Sequence, residues 1–336
     1  MPIISATNLV KDFVRPRRQT GTFGAIRTLL TRESTTTHAV SDVSLSIDEG
    51  EIVGYLGPNG AGKSTTIKML SGILVPTSGS VEVCGIVPWK DRTQNALNIG
   101  VVFGQRSQLW WDLPLDESLA LIGKMYRMEP EKYHRNRDML VELLEMESFL
   151  STPVRQLSLG KRMRGDLAAA VLYEPPVLFL DEPTVGLDVV AKERIRAFIE
   201  QINAERRTTV LLTTHDLGDV ERLCKRLVII DHGKVLFDGA TDDLKRRYAP
   251  HRIIDVVVDA SGVRALASLA PTLPAHLTLD SRDGIKASFQ ADPAVTSLPE
   301  MIAWLSSQLP IIDLGVREPA LEGIIREIYE KREVTI

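Results

Sequence analysis

Apolar positions fall into two regimes along this chain, and the points where one gives way to the other mark out its elements. Short continuous apolar runs recur through the first two thirds: Glu51-Ile52-Val53-Gly54-Tyr55-Leu56, Ile99-Gly100-Val101-Val102-Phe103, Val177-Leu178-Phe179-Leu180 and Val210-Leu211-Leu212-Thr213-Thr214. Runs of that length without polar alternation are expected of strands buried on both faces, as in a parallel sheet. Between them apolar residues return at helical spacing. Thr65 to Leu70 reads as one helix, residues 115–128 as a second carrying Leu115, Leu119, Ile122 and Met125, and residues 130–147 as a third. A further helix runs through Asp166 to Leu172 and stops before Pro175-Pro176, as proline requires. Alternation of buried strands with helices predicts an α/β fold.

Beyond residue 240 the pattern changes. Arg252 to Val258 reads as a strand and Val263 to Ala270 as a short helix. Leu277 to Leu279 and Ile285 to Phe289 flank Ser281-Arg282-Asp283-Gly284, whose Asp-Gly pair signals a hairpin. Leu298 to Leu309 is a helix and Ile311 to Val316 a strand, which completes the order β-α-β-β-α-β of a small ferredoxin-like unit. A last helix carries Leu321, Ile324, Ile325, Ile328 and Tyr329 on one face. That stripe has three readings: cover for its own sheet, contact with the same stripe of a second copy, or ligand sensing. The 336 residues therefore divide into 1–240 and an accessory domain over 241–336.

Candidate chemistry sits at the changeover points. Gly57-Pro58-Asn59-Gly60-Ala61-Gly62-Lys63-Ser64-Thr65 matches Gly-x-x-x-x-Gly-Lys-[Ser/Thr] between a strand and a helix. Glycines turn backbone N–H groups inward around a β-phosphate, Lys63 reaches the β/γ oxygens, and Ser64 offers a hydroxyl to Mg²⁺. The helix N-terminus adds its positive end. This loop predicts nucleoside triphosphate binding. Three other strands also end in polar residues: Val177–Leu180 in Asp181-Glu182, Val210–Thr214 in His215-Asp216, and Ile99–Phe103 in Gly104-Gln105. Open α/β sheets place their ligands at such ends. One carboxylate can hold Mg²⁺ through water while the next orients and deprotonates the attacking water.

Upstream of the acidic pair lies Leu157-Ser158-Leu159-Gly160-Lys161-Arg162-Met163-Arg164, a serine and glycine at a helix start. The order phosphate loop, Gln105, Ser158-x-Gly160, Asp181-Glu182, Asp188, His215 resembles that of ATP-binding cassette (ABC) ATPases, over roughly residues 1–240. The resemblance implies a P-loop core with a helical subdomain over about 106–165. It also implies that Phe13 stacks on adenine and that Gly57 to Thr65 wrap the phosphates. Ser64 and Gln105 would ligate Mg²⁺, supported by Asp181, with Glu182 as catalytic base and His215 as the switch at the γ-phosphate. Ser158 and Gly160 would touch the γ-phosphate of ATP held by a second copy in a head-to-tail dimer, and Gly186-Leu187-Asp188, with Asp188 among the ATP-site residues, would link the two sites. The segment departs from the commoner pattern at Leu159 and Lys161. If position 159 takes a positive φ, leucine is strained there by about 1 kcal/mol or more, and Lys161 adds positive charge near the phosphates. A subset of prokaryotic exporter ATPases looks similar at this point.

Composition narrows the setting. A net charge of −4 argues against a nucleic-acid partner, and the near-zero mean hydropathy describes an ordinary chain with a sizeable core. Cys84 and Cys224 lack metal-site spacing and fit a reducing compartment. The start Met1-Pro2-Ile3-Ile4-Ser5 lacks a signal-peptide pattern. With no apolar run long enough to span a bilayer, transport would need separately encoded transmembrane permease subunits, with this chain peripheral on the cytoplasmic face. The resemblance is to the ATPase subunit of a type-2 exporter. The alternative, a soluble ABC ATPase acting on ribosomes or DNA, usually carries tandem cassettes or long coiled coils that are absent from this sequence.

Two further stretches stand out. Residues 14–37 form a basic insertion, and residues 1–37 hold six Lys/Arg against two Asp/Glu. A helix carrying Phe23, Ile26 and Leu30 near anionic lipid is one reading, and a surface excursion covering the sheet edge is the favoured one. Trp110 and Trp111 are adjacent, so regular structure cannot easily turn both into one core; at least one as an interface anchor is one reading, and core packing by both the other.

Overall fold

The structure is a computed structural model that describes residues 2–16, 34–104, 106–248, 251–269 and 273–333. Its contacts divide the chain into two units, Met1–Gly239 and Ala240–Ile336.

The first unit opens with two long antiparallel strands, β1 (Ile4–Pro16) and β2 (Ser34–Ile47), paired from Ile4 opposite Ile47 to Pro16 opposite Ser34. The segment read as a basic insertion thus begins and ends in paired strand, and Phe23, Ile26 and Leu30 lie outside the described residues. Strand β3 (Ile52–Leu56) feeds the phosphate loop and helix α1 (Lys63–Leu70). Strand β4 (Ser78–Val83) joins the other edge of β1, giving a three-stranded sheet β2-β1-β4. Helix α2 (Arg92–Asn98), capped by the Asp91 carboxylate, leads into β5 (Ile99–Phe103).

Helices α3 (Leu115–Met125) and α4 (Pro130–Leu143) follow. Leu115, Leu119 and Ile122 are buried as their spacing predicts, but Met125 is 65% exposed. The face ends one turn early because Arg127 takes a positive φ of 52° and Pro130 starts the next helix. Helix α4 likewise stops short of 147, at Leu143, where Glu145 turns into the left-handed region. Helix α5 (Leu159–Val171) is buried along most of its length. Trp110 and Trp111 are 38% and 51% exposed, which rules out core packing by both.

The remaining strands are β6 (Val177–Asp181), β7 (Thr209–Thr213), β8 (Arg226–Asp231) and β9 (Lys234–Ala240), separated by helices α6 (Val189–Arg206) and α7 (Leu217–Leu223). They complete a six-stranded sheet in the order β5-β6-β7-β3-β8-β9. Pairing is parallel from β5 through β8. Residues 177–180 and 209–213 are buried throughout, the two-sided burial that their unbroken apolar runs anticipate. Helix α1 packs into one core with both sheets, in which Ile67, Met69 and Leu70 are members together with Leu9, Val53 and Phe179.

The second unit begins with helix α8 (Thr241–Tyr248) and continues with β10 (Arg252–Val258), α9 (Gly262–Leu269), β11 (Leu277–Asp283), β12 (Lys286–Ala291), α10 (Leu298–Gln308), β13 (Ile311–Arg317) and α11 (Leu321–Glu333). Its sheet order is β11-β12-β10-β13, antiparallel throughout. The hairpin turn carries Gly284 at φ 56°. Phe289, Met301 and Leu305 lie in a core of their own. Leu321, Ile324, Ile325 and Ile328 are buried, and α11 packs on α8.

Candidate functional site

The phosphate loop is built by close backbone approach. Gly62 caps α1 at φ 108°, and a Cβ there would lie 2.5 Å from the Ala39 carbonyl oxygen. A Cβ on Gly57 would lie 2.6 Å from the Ile230 carbonyl oxygen. The loop is therefore clamped between β2 and the β8–β9 turn. Gly233 of that turn donates its N–H to the Ala61 carbonyl at 3.0 Å, while its own carbonyl accepts from Ser41 N–H at 2.8 Å. Ala39, Ser41 and Gly233 were invisible as site residues in the sequence, because they contribute backbone rather than side-chain chemistry.

Lys63 is buried at 6% exposure. Its Nζ donates to the carbonyls of Gly57 at 2.6 Å and Pro58 at 3.2 Å. Burial pulls its pKa down, and the charges of Glu182 and Asp181 oppose that pull. The same ammonium thus faces the loop carbonyls and the acidic pair. Ser64 Oγ donates to Asp181 Oδ1 at 3.3 Å, and Thr213 Oγ1 donates to the same oxygen at 2.6 Å. Hydroxyl and carboxylate oxygens are the donors a hard cation such as Mg²⁺ takes, so Ser64 and Asp181 fit the ion. Gln105 lies outside the described residues.

Glu182 follows the end of β6 with φ at 58°, in the left-handed region where a non-glycine residue is strained. Its N–H donates to the Thr213 carbonyl at 2.9 Å. His215, just past the end of neighbouring β7, brings its Nε2 to 2.7 Å from Glu182 Oε1. Lys63, Ser64, Asp181, Glu182 and His215 are thus linked across the ends of β3, β6 and β7. That arrangement sets a cation, two hydroxyls, two carboxylates and an imidazole around the place where a phosphate chain would lie. Phe13 sits on β1 opposite Thr37, two residues along β2 from the clamp at Ala39, with Lys11 Nζ 5.4 Å from its ring centre.

A second group forms elsewhere in the unit. Ser158 is the N-cap of α5, its Oγ accepting from Lys161 N–H at 3.4 Å. Leu159 is the first residue of that helix and is not among the positive-φ residues, so the expected backbone strain does not arise. Instead, a Cβ on Gly186 would lie 3.0 Å from Leu159 Cδ2, a side-chain contact. Lys161 places its ammonium 5.3 Å from the centre of the Phe149 ring. Asp188 caps α6 by accepting from Ala191 N–H at 2.8 Å. Ser158, Gly160, Lys161, Asp188 and Arg194 line one cavity of about 620 Å³, and no phosphate-loop residue lines it.

A family model described as ABC transporter matches residues 40–185. The chain is 33% identical over 291 residues to the linearmycin resistance ATP-binding protein LnrL of Bacillus subtilis (strain 168), covering 85% of this chain and 91% of that protein. It is 35% identical over 243 residues to the Nod factor export ATP-binding protein I of Cupriavidus pinatubonensis (strain JMP 134 / LMG 1197), covering 72% and 71%. Among solved structures, it resembles a dimeric post-hydrolysis state of an ATP-binding cassette bound to ADP and Pi, with a TM-score of 0.59 and 27% identity over 70% of this chain and 98% of that one.

Proposed function

This chain belongs to the ABC transporter family as an ATP-binding subunit and ATPase, and from that premise we propose that it drives export through separately encoded transmembrane subunits. The names of its relatives support the direction: one is a linearmycin resistance protein and another a Nod factor export protein. Among the described residues no helix is long and apolar enough to cross a membrane, so the membrane path would belong to partner subunits. The chain would then work peripherally at the cytoplasmic face.

Within the site, Gly57 to Thr65 hold the triphosphate and Lys63 exchanges loop carbonyls for phosphate oxygens. Ser64 and Gln105, with Asp181 behind them, would hold Mg²⁺, which would supply charge neutralisation on the phosphates. Glu182 takes the proton of the attacking water, and His215, bonded to it, fixes the direction of that carboxylate and meets the γ-phosphate. Phe13 stacks on the base.

Two copies work head to tail, and one observation carries this reading. Ser158, Gly160 and Asp188 converge on a cavity that contains no residue of the phosphate loop. Its lining includes Lys161, Arg164 and Arg194, a charge suited to a phosphate presented by another copy. A mixture of Lys63→Ala and Ser158→Arg chains tests it. Both defects fall in one composite site of the heterodimer, leaving the other intact, so the mixture should exceed either variant alone by roughly tenfold. If demonstrably exchanging chains show no gain, the shared site is refuted.

A further inference from the structure

Behind the Glu182–His215 pair lies a buried carboxylate that the chemistry above does not use. Asp219, on α7, is fully buried. Its Oδ2 accepts from Thr184 Oγ1 at 2.5 Å and from Thr214 Oγ1 at 3.1 Å. Its Oδ1 lies 2.6 Å from both Nε and Nη2 of Arg196. Thr184 is two residues past Glu182, and Thr214 immediately precedes His215. Arg196 comes from α6, the helix that Asp188 caps, and it also reaches Asp216 Oδ1 at 3.5 Å.

We propose that Asp219 is a positioning residue for ATP hydrolysis, one carboxylate that fixes the segment after Glu182 and the segment before His215 as a unit. The inference rests on the reading of Glu182 and His215 given above. Three features argue for it. Glu182 sits at a positive φ of 58°, a conformation that persists only where the surroundings over-determine it. The restraint on its N-terminal side is its own N–H bond to Thr213, and the nearest side-chain restraint on its C-terminal side is Thr184 on Asp219. Thr214 also accepts from Asp216 N–H at 2.9 Å, so its hydroxyl both donates and accepts and cannot swing away without breaking two bonds. Finally, a buried carboxylate held by a guanidinium and two hydroxyls is charge-assisted and satisfied, the condition under which a polar network rigidifies its members.

The chain of contacts also leaves the site. Through Arg196 the carboxylate is tied to α6, so a displacement of the segment Val185 to Asp188 is felt at Glu182 and His215 together.

Steady-state hydrolysis by full-length variants is the test. Asp219→Asn keeps the shape and removes the charge; kcat should fall roughly tenfold or more while the KM for ATP stays within about twofold. In the Glu182→Gln background the same substitution should bring a much smaller loss than it does alone, because the part of its effect exerted through Glu182 is already gone. Thr184→Val should mimic the loss and Thr184→Ser should restore it, which keeps the proposal testable if Asp219→Asn folds poorly. Normal kcat in Asp219→Asn, losses that multiply in the Glu182→Gln background, or equal turnover of the Val and Ser variants would each overturn it. A Glu182→Gln chain with undiminished turnover would instead bring down the reading of Glu182, and the inference with it. A slow Glu182→Gln beside a normal Asp219→Asn removes the inference alone.

Discussion

Glu182 Oε1 and His215 Nε2 are 2.7 Å apart at the ends of two adjacent parallel strands. In the proposed function, the base that must point at a water would thereby be held from the side by an imidazole. The strained backbone at Glu182 aims the side chain and the histidine keeps it there.

Glu182→Gln should lower turnover roughly 100-fold or more, as expected when a positioned base is lost, while nucleotide binding persists and ATP-bound dimers accumulate. His215→Ala should slow hydrolysis with less effect on binding. Phosphate release and retention of labelled ATP read the two effects separately, and parental turnover in Glu182→Gln would remove that residue from its role.

Leu159 occupies the first turn of α5 with ordinary helical geometry. Leu159→Gly therefore has no strain to relieve. It should destabilise the first unit by about 0.5–1 kcal/mol through reduced helix propensity, and it also removes the side chain that packs against Gly186. A higher melting temperature in this variant would contradict that geometry.

Asp166 anchors the segment after Gln105 to α5: its Oδ1 accepts from Ser107 Oγ at 2.9 Å and from Gln108 N–H at 3.0 Å. Burial pushes its pKa up from 3.8 to about 6 despite those bonds. A carboxyl raised on folding binds more protons in the native state between those values, so its ionisation weakens the fold as pH rises through that window and the cost is fully present above it. Asp166→Asn, which keeps the acceptor oxygen, should be the more stable protein at pH 7. Its advantage should shrink by on the order of 1 kcal/mol at pH 5, and an advantage that grows on acidification would refute the assignment. Thermal melts at the two pH values decide it.

Residues 240–336 form a unit with their own core. We expect them to fold when expressed alone, at a size sufficient for one core. Phe289→Ala, which empties a side chain at 1% exposure, should cost this piece about 3–5 kcal/mol. Circular dichroism with sedimentation tests both points. A dimer favours contact between copies through this unit, a monomer favours structural cover, and an unfolded chain refutes an independent domain.

The sheet of the first unit was legible because its central strands are apolar without interruption, and the phosphate loop because its side chains and glycines follow a fixed spacing. Element ends were less so. Arg127 and Glu145 turn into the left-handed region, a conformation that no sequence periodicity announces, and each shortens a helix. Lys63, Ser64, Asp181, Glu182 and His215, which the structure brings together, could be named from the sequence as candidates, whereas their supports could not. Thr213, Ala39 and Gly233 act through a hydroxyl or a backbone group on an otherwise ordinary residue. The strain expected at Leu159 did not appear, because Ser158 caps the helix and Leu159 starts it.

The pair that would hold the cation, Ser64 and Asp181, is separated by 117 positions in the chain, and β3 comes to lie between strands that follow it by more than a hundred residues. Closing such distant pairings costs loop entropy before any contact repays it. The phosphate loop therefore leaves the ribosome long before the strands on either side of it exist. Ala39 of β2 is already made to hold Gly62, but Gly57 and Ala61 have no clamp until β8 and its turn arrive near residue 233. A chain interrupted anywhere before that point carries the most recognisable motif of the protein with only the β2 side of the framework that shapes it, and presents an unfilled edge of β3 to proteases and to other chains. Competence for nucleotide is, on this topology, among the last properties the first unit acquires as it is made.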